Sequence, residues 1–123
     1  MYSKETETDK TIEAILEGIK RIKGNDIRLI DLSTIHHTEC SWFIICHGNS
    51  STQVDALAHS VEETVEEFTG TKVWHTDGYK NSLWILLDYG DIMVHVFQKT
   101  ARDFYNLEGL WADATLTKIE AEN

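Results

Sequence analysis

Six histidines, two cysteines and the aspartates Asp88 and Asp91 are the residues of this 123-residue chain with chemistry to offer. Metal binding needs ligands that converge. His36 and His37 are adjacent, so in most backbones their side chains point apart. His47, His59, His75 and His95 fall on separate stretches, with no HxxxH or HExxH spacing. The reading is that no metal site exists. A nucleophilic cysteine needs a nearby base and a lowered pKa. Cys40 and Cys46 lie in or beside an apolar run, in an acidic setting that raises a thiol pKa, so both read as core residues. The stretch "WILLDYGDIMVHVF" (84–97) is different. It reads as a β-hairpin with its turn at Tyr89-Gly90, where Gly90 supplies a positive φ. One face carries Ile85, Leu87, Ile92 and Val94, an ordinary core set. The other carries Trp84, Leu86, Asp88, Asp91, Met93 and His95. An apolar cluster edged by acids is the mark of a protein interface. A covering helix would instead make this face plain core. His95, facing Trp84 across the hairpin, reads as a packed or partner-contacting residue.

The turn "HGNSS" (47–51), followed by a helix, is similar to the Gly-Ser turn that holds phosphate at a helix N-terminus in nucleotidyltransferases. Such enzymes also need clustered carboxylates on neighbouring strands to hold Mg²⁺. The strand after the helix, "KVWHT" (72–76), has none, and Asp88 and Asp91 flank a tight turn. Ser50 therefore reads as a helix cap, no residue is assigned a catalytic role, and no cofactor is expected.

The elements around these residues follow from periodicity. Thr8 or Asp9 can cap a first helix whose apolar residues Ile12, Ile15, Leu16, Ile19 and Ile22 recur at helical spacing, and Gly24-Asn25 stops it. "DIRLIDL" (26–32) and "WFIICH" (42–47) read as buried strands. A second helix turns Val54, Leu57, Ala58, Val61, Val65 and Phe68 inward and its acids mostly outward, ending at Gly70. Residues 101–114 suit short helical turns, and the tail from Thr115 reads as loose. The expected architecture is a single α/β domain, a five-stranded mixed sheet with flanking helices in the order α-β-β-α-β-β-β-α. It occupies residues 9–114, between a flexible N-terminus (1–8) and a flexible C-terminal tail (115–123). Three helices cannot easily cover both faces of five strands, so one face should stay partly bare beside the hairpin.

Composition narrows the partners. Hydrophobic residues make up 41% and aromatic residues 10% of the chain, enough for a core that buries roughly two thirds of the unfolded surface. Two cysteines without a CxxC pair favour a reducing compartment. No apolar run approaches the ~18 residues of a membrane span, and "MYSKETETDK" lacks a signal-peptide core. A soluble, cytoplasmic protein with no membrane contact is expected. Net charge is −10, from 21 acids against 11 bases. No Lys or Arg occurs between Arg28 and Lys72. Such a surface repels phosphate backbones, which disfavours direct, sequence-specific nucleic-acid binding, and attracts basic proteins.

The hairpin sequence, followed by "RDFYNLEGLWADA" (102–114), resembles the ribosomal silencing factor family, also called Iojap-like. Earlier pieces agree in colinear order: "DIRLIDLS" (26–33), "FIICHGNSSTQVDALA" (43–58) and "HTDG" (75–78). The resemblance covers roughly residues 9–114. Two positions depart. Ser41-Trp42 stands where the family often has Asp-Tyr, and Asp77-Gly78 where it often has Glu-Gly, which keeps the charge. The resemblance implies a fold similar to nucleotidyltransferases but without their catalytic acids, and no enzymatic activity. It implies binding to the large ribosomal subunit through its fourteenth protein, on the face where the small subunit docks. Occupying that face would block subunit joining and lower translation when nutrients are scarce. It also implies a homodimer when the protein is free, and a link in organelles to large-subunit assembly. On this reading the odd hairpin face is the docking surface. The expected partner-binding residues are Trp84, Leu86, Asp88, Asp91, Met93 and His95, with Trp74, Asp77 and Tyr89 beside them. Two alternatives stay open: a small nucleotide-binding or nucleotidyltransferase-type enzyme, and a ribosome assembly factor.

Overall fold

The computed structural model of the chain describes residues 6–35, 40–111 and 114–119. Helix α1 spans Glu7–Arg21. Its N-cap is Thr6, two residues ahead of the expected Thr8. Thr6 Oγ1 accepts from the Asp9 amide at 3.0 Å while Asp9 Oδ2 accepts from the Thr6 amide at 3.3 Å. Asp9 thus serves at the third helical position of a capping box rather than as the cap itself. Helix α2 spans Ser51–Thr69 and is capped as expected by Ser50, whose Oγ accepts from the Gln53 amide at 3.1 Å. Its inward stripe takes in Thr64 but leaves Phe68 54% exposed, against expectation. Phe68 continues the stripe but lies one turn past its last buried residues, Thr64 and Val65, where the Arg21 guanidinium covers its ring from 5.4 Å. The helices pack tightly at Gly18. A Cβ there would meet Val61 Cα at 2.8 Å, so only glycine fits.

Among the described residues six strands, not five, form one sheet in the order β3-β4-β5-β2-β1-β6. They are β1 Asn25–Asp31, β2 Trp42–Gly48, β3 His75–Asp77, β4 Trp84–Asp88, β5 Ile92–Gln98 and β6 Thr115–Ile119. The pair β2–β5 is parallel and all other pairs are antiparallel. The sixth strand comes from the tail expected to be loose. "TLTKI" pairs with β1 from Asp31↔Thr115 to Ile27↔Ile119. Its β-branched residues suit a strand, but at an outer edge most of them stay exposed. The alternating apolar pattern that marks a half-buried strand is therefore missing.

Each face of the sheet has its own core. On one face α1 and α2 bury Ile15, Ile19, Ile44, Leu57, Val61, Ile85, Leu87 and Val94. On the other, Ile30, Leu32, Phe43, Ile45 and Phe97 pack with Ala101 and Leu107, from two short helices, α3 (Lys99–Tyr105) and α4 (Leu107–Leu110). The second face is therefore covered in part, and Trp84, Met93 and Trp111 lie half-buried against that smaller core. Arg102 fastens the covering helices. It is 5% exposed; its Nη1 donates to Asp26 O at 2.7 Å and contacts His47 Nδ1 at 2.9 Å, and Nη2 donates to Glu108 Oε2 at 3.0 Å.

Candidate protein-docking surface

The hairpin's register decides which side chains share a face. Trp84 pairs with Phe97, Leu86 with His95 and Asp88 with Met93. The Tyr89 amide donates to Ile92 O at 2.9 Å, so the central turn residues are Gly90-Asp91, one position later than expected. Gly90 has φ +86°, as a tight turn requires. Asp88 Oδ1 accepts from the Gly90 amide at 2.8 Å and clamps the turn. The shift moves Asp91 off the strand face into the turn. It also places Tyr89 with Ile85 and Leu87 on the core face, and sets Phe97, rather than His95, opposite Trp84 on the odd face.

The expected docking residues divide between two grooves. At the tip lies a groove of about 550 Å³ to which Trp74, Asp88, Tyr89, Asp91 and Met93 contribute, with Glu7 and Thr11 of α1 opposite. Trp74 is 75% exposed. Its amide donates to Asp88 O at 2.9 Å, and its ring lies so close over Gly90 that a Cβ there would come within 3.1 Å of the indole. Three carboxylates, those of Glu7, Asp88 and Asp91, border the groove, and among the described residues no Lys or Arg lines it. At the root lies a second groove of about 330 Å³, lined by Asp77, Lys80, Leu83, Trp84, Ala101 and Tyr105. There Trp84 stacks on Phe97 with centroids 4.8 Å apart and leans on Tyr105 at 5.0 Å. Leu86 sits between the two, half-buried.

Two of the expected contact residues are not on the surface. Tyr89 is 8% exposed, its side chain part of the main core, and burial followed by the Glu62 charge pushes its phenol pKa up. His95 is 5% exposed, and burial pushes its pKa down to about 4. Conversely, α3 and Leu83, the residue before β4, add apolar surface outside the expected set. Phe104 is 80% exposed, and Tyr105 and Leu83 are about half exposed. The signal was the Phe104-Tyr105 pair itself, since adjacent helical residues cannot both face one core.

The residues with reactive potential are occupied structurally. Ser50 caps α2, and Gln53 Oε1 accepts from the Asn49 amide at 2.9 Å. Cys46 is fully buried and its thiol is pushed up to about 12, by burial rather than by neighbouring acids. His47 is held below its usual range, first by burial and then by the Arg102 charge. His59 Nδ1 lies 2.9 Å from Asp55 O on the outer side of α2. His36 and His37 lie outside the described residues. Among the described residues no three His, Cys, Asp or Glu converge as metal ligands, and no helix is long and apolar enough to cross a membrane.

Comparison with known proteins matches residues 5–123 to the family described as "Ribosomal silencing factor during starvation". The protein named Ribosomal silencing factor RsfS from Halalkalibacterium halodurans is 46% identical over 64% of this chain and 67% of its own. Its namesake from Bacillus subtilis is 40% identical over 80% of this chain and 81% of its own. Among solved structures, a Chromobacterium violaceum protein superposes with a TM-score of 0.78 at 32% identity, covering 92% of this chain and 93% of that one.

Proposed function

This chain belongs to the ribosomal silencing factor family, and we propose that it docks on the large ribosomal subunit through that subunit's fourteenth protein. There it occludes the face where the small subunit joins, and so lowers translation under nutrient limitation. The observation that carries this reading is the tip groove. An exposed tryptophan and a methionine sit among three carboxylates, with no lysine or arginine among the described residues that line it, on a chain of net charge −10. Ribosomal proteins are typically basic. Apolar anchors ringed by charge of the opposite sign match such a partner in both affinity and encounter rate.

On this reading Trp74, Asp88, Asp91 and Met93 meet the partner at the tip, and Asp77, Trp84 and Leu86 extend the contact toward the root. The work is steric, with no turnover, on a nucleotidyltransferase-like scaffold that lacks the catalytic acids. The protein acts in the cytoplasm, and when free of the ribosome it pairs with a second copy.

The test is sedimentation of purified subunits with and without the protein. It should travel with large subunits, and the yield of joined ribosomes should fall as its concentration rises. Sedimentation only with immature large-subunit particles would favour an assembly role instead. Joining that proceeds unchanged while the protein is bound would refute the steric reading.

A further inference from the structure

One buried polar atom beneath the root groove is unsatisfied. His95 Nε2 has no hydrogen-bond partner among the described residues. The other ring nitrogen, Nδ1, lies 3.1 Å from Trp84 Nε1. An indole nitrogen only donates, so Nδ1 must accept, and a neutral imidazole that accepts there carries its proton on Nε2. The tautomer therefore follows from the identity of Trp84. The remaining N–H is enclosed by rings. Phe43 stands nearly perpendicular to the imidazole, at 70° and 4.6 Å, and Phe97 lies almost parallel at 6.3 Å. A perpendicular aromatic contact is the arrangement in which an N–H can point at a π face.

We propose that His95 is the positioning residue for Trp84, holding the indole N–H inward so that a rigid tryptophan borders the root groove. The proposal rests on the reading of Trp84 as a partner contact. Without an acceptor below it, the indole N–H would be drawn toward water, taking the ring off Phe97. With one, the side chain is already ordered before the partner arrives, and less conformational entropy is lost on docking. His95 suits this role because it stays neutral. Desolvation by the surrounding rings is the single cause lowering its pKa, to about 4, so near neutral pH it always offers an acceptor. A lysine, or a protonated histidine, would set donor against donor.

The bond can be read directly in the intact, isotopically labelled chain. Nuclear magnetic resonance should show a scalar coupling from the Trp84 indole nitrogen to His95 Nδ1, with a slowly exchanging indole proton. No coupling at neutral pH would overturn the proposal. His95→Phe keeps the ring and removes the acceptor; it should free the indole and weaken large-subunit pelleting about tenfold per folded molecule. His95→Asn restores an acceptor near the Nδ1 position and should recover most of the binding. If His95→Phe binds like the parent while Trp84→Ala binds poorly, the positioning role fails and the docking reading survives. If Trp84→Ala binds normally, the contact reading fails, and the coupling alone decides what His95 does. Should His95→Phe not fold, the presence or absence of the coupling in the parent protein still decides for or against the positioning role.

Discussion

Arg102 Nη1 donates to the backbone oxygen of Asp26 at 2.7 Å, tying the helix that follows the hairpin to the first strand of the sheet. Asp26 has φ +47°, a left-handed backbone that this bond helps to hold. Removing the guanidinium leaves Glu108 and the Asp26 carbonyl without their donor. Arg102→Ala should lower unfolding free energy by about 2–4 kcal/mol. Arg102→Lys should recover only part, because an ammonium cannot reproduce the planar fork. An unchanged urea midpoint for the alanine variant would show that the helices are fastened elsewhere.

Trp74 gives the cleanest separation of binding from folding. Being 75% exposed, it should tolerate truncation to alanine with a stability change within about 0.5 kcal/mol, yet lose about 2 kcal/mol or more in large-subunit binding if it anchors the interface. Ile85, fully buried, should do the reverse, at about 2–5 kcal/mol in stability. Trp84 is a mixed case, since its stack on Phe97 joins it to the smaller core. Melting curves and pelleting assays on the three alanine variants separate these expectations.

The carboxylates at the hairpin tip predict salt-sensitive encounter. The association rate with large subunits should fall between low and physiological ionic strength, as screening shortens the reach of surface charge. Asp91→Lys should slow association further, and Asp91→Asn should reduce the salt dependence. Stopped-flow rates that ignore both salt and these changes would rule out charge steering.

The folded protein should also lose stability in mild acid. His95 has an ordinary pKa near 6.5 when unfolded, lowered to about 4 in the fold. Above 6.5 both states are neutral and nothing changes. As pH falls from 6.5 toward 4 the unfolded chain gains a proton that the folded chain refuses, so stability declines, by on the order of 3 kcal/mol, and levels off below. His47, also lowered, adds to the slope. His95→Asn should flatten the part due to His95. Denaturation midpoints across this window that do not move would show that neither histidine is as desolvated as the structure implies.

Much of this was legible in the residues, for identifiable reasons. Helical spacing located α1 and α2, and Ser50 and Gly70 marked the ends of α2, because caps are local chemistry. The two faces of the hairpin followed from alternation alone. The turn slipped by one residue because Asp88 bonds the Gly90 amide, and spacing cannot choose between neighbouring turn registers that keep the same alternation. Arg102 was invisible as a structural residue, since its backbone partners lie 76 and 77 positions away. His95 was placed on the correct face, as a packed or a partner-contacting residue, and it is packed. Its burial depends on Phe43, Phe97 and the covering helices together, which no local pattern reports.

The parallel pairing of β2 with β5 has a consequence in time. Trp42 meets Ile92 and Gly48 meets Gln98, so the two central strands join only after the chain between them has been made. Long-range parallel pairing closes late and slowly. A nascent chain cannot build its central strand pair until Gln98 has been made, or seat the helices that cover the second face until Leu110 has followed. On the reading that it silences ribosomes, a chain still short of that point has no finished surface with which to stall the machine producing it.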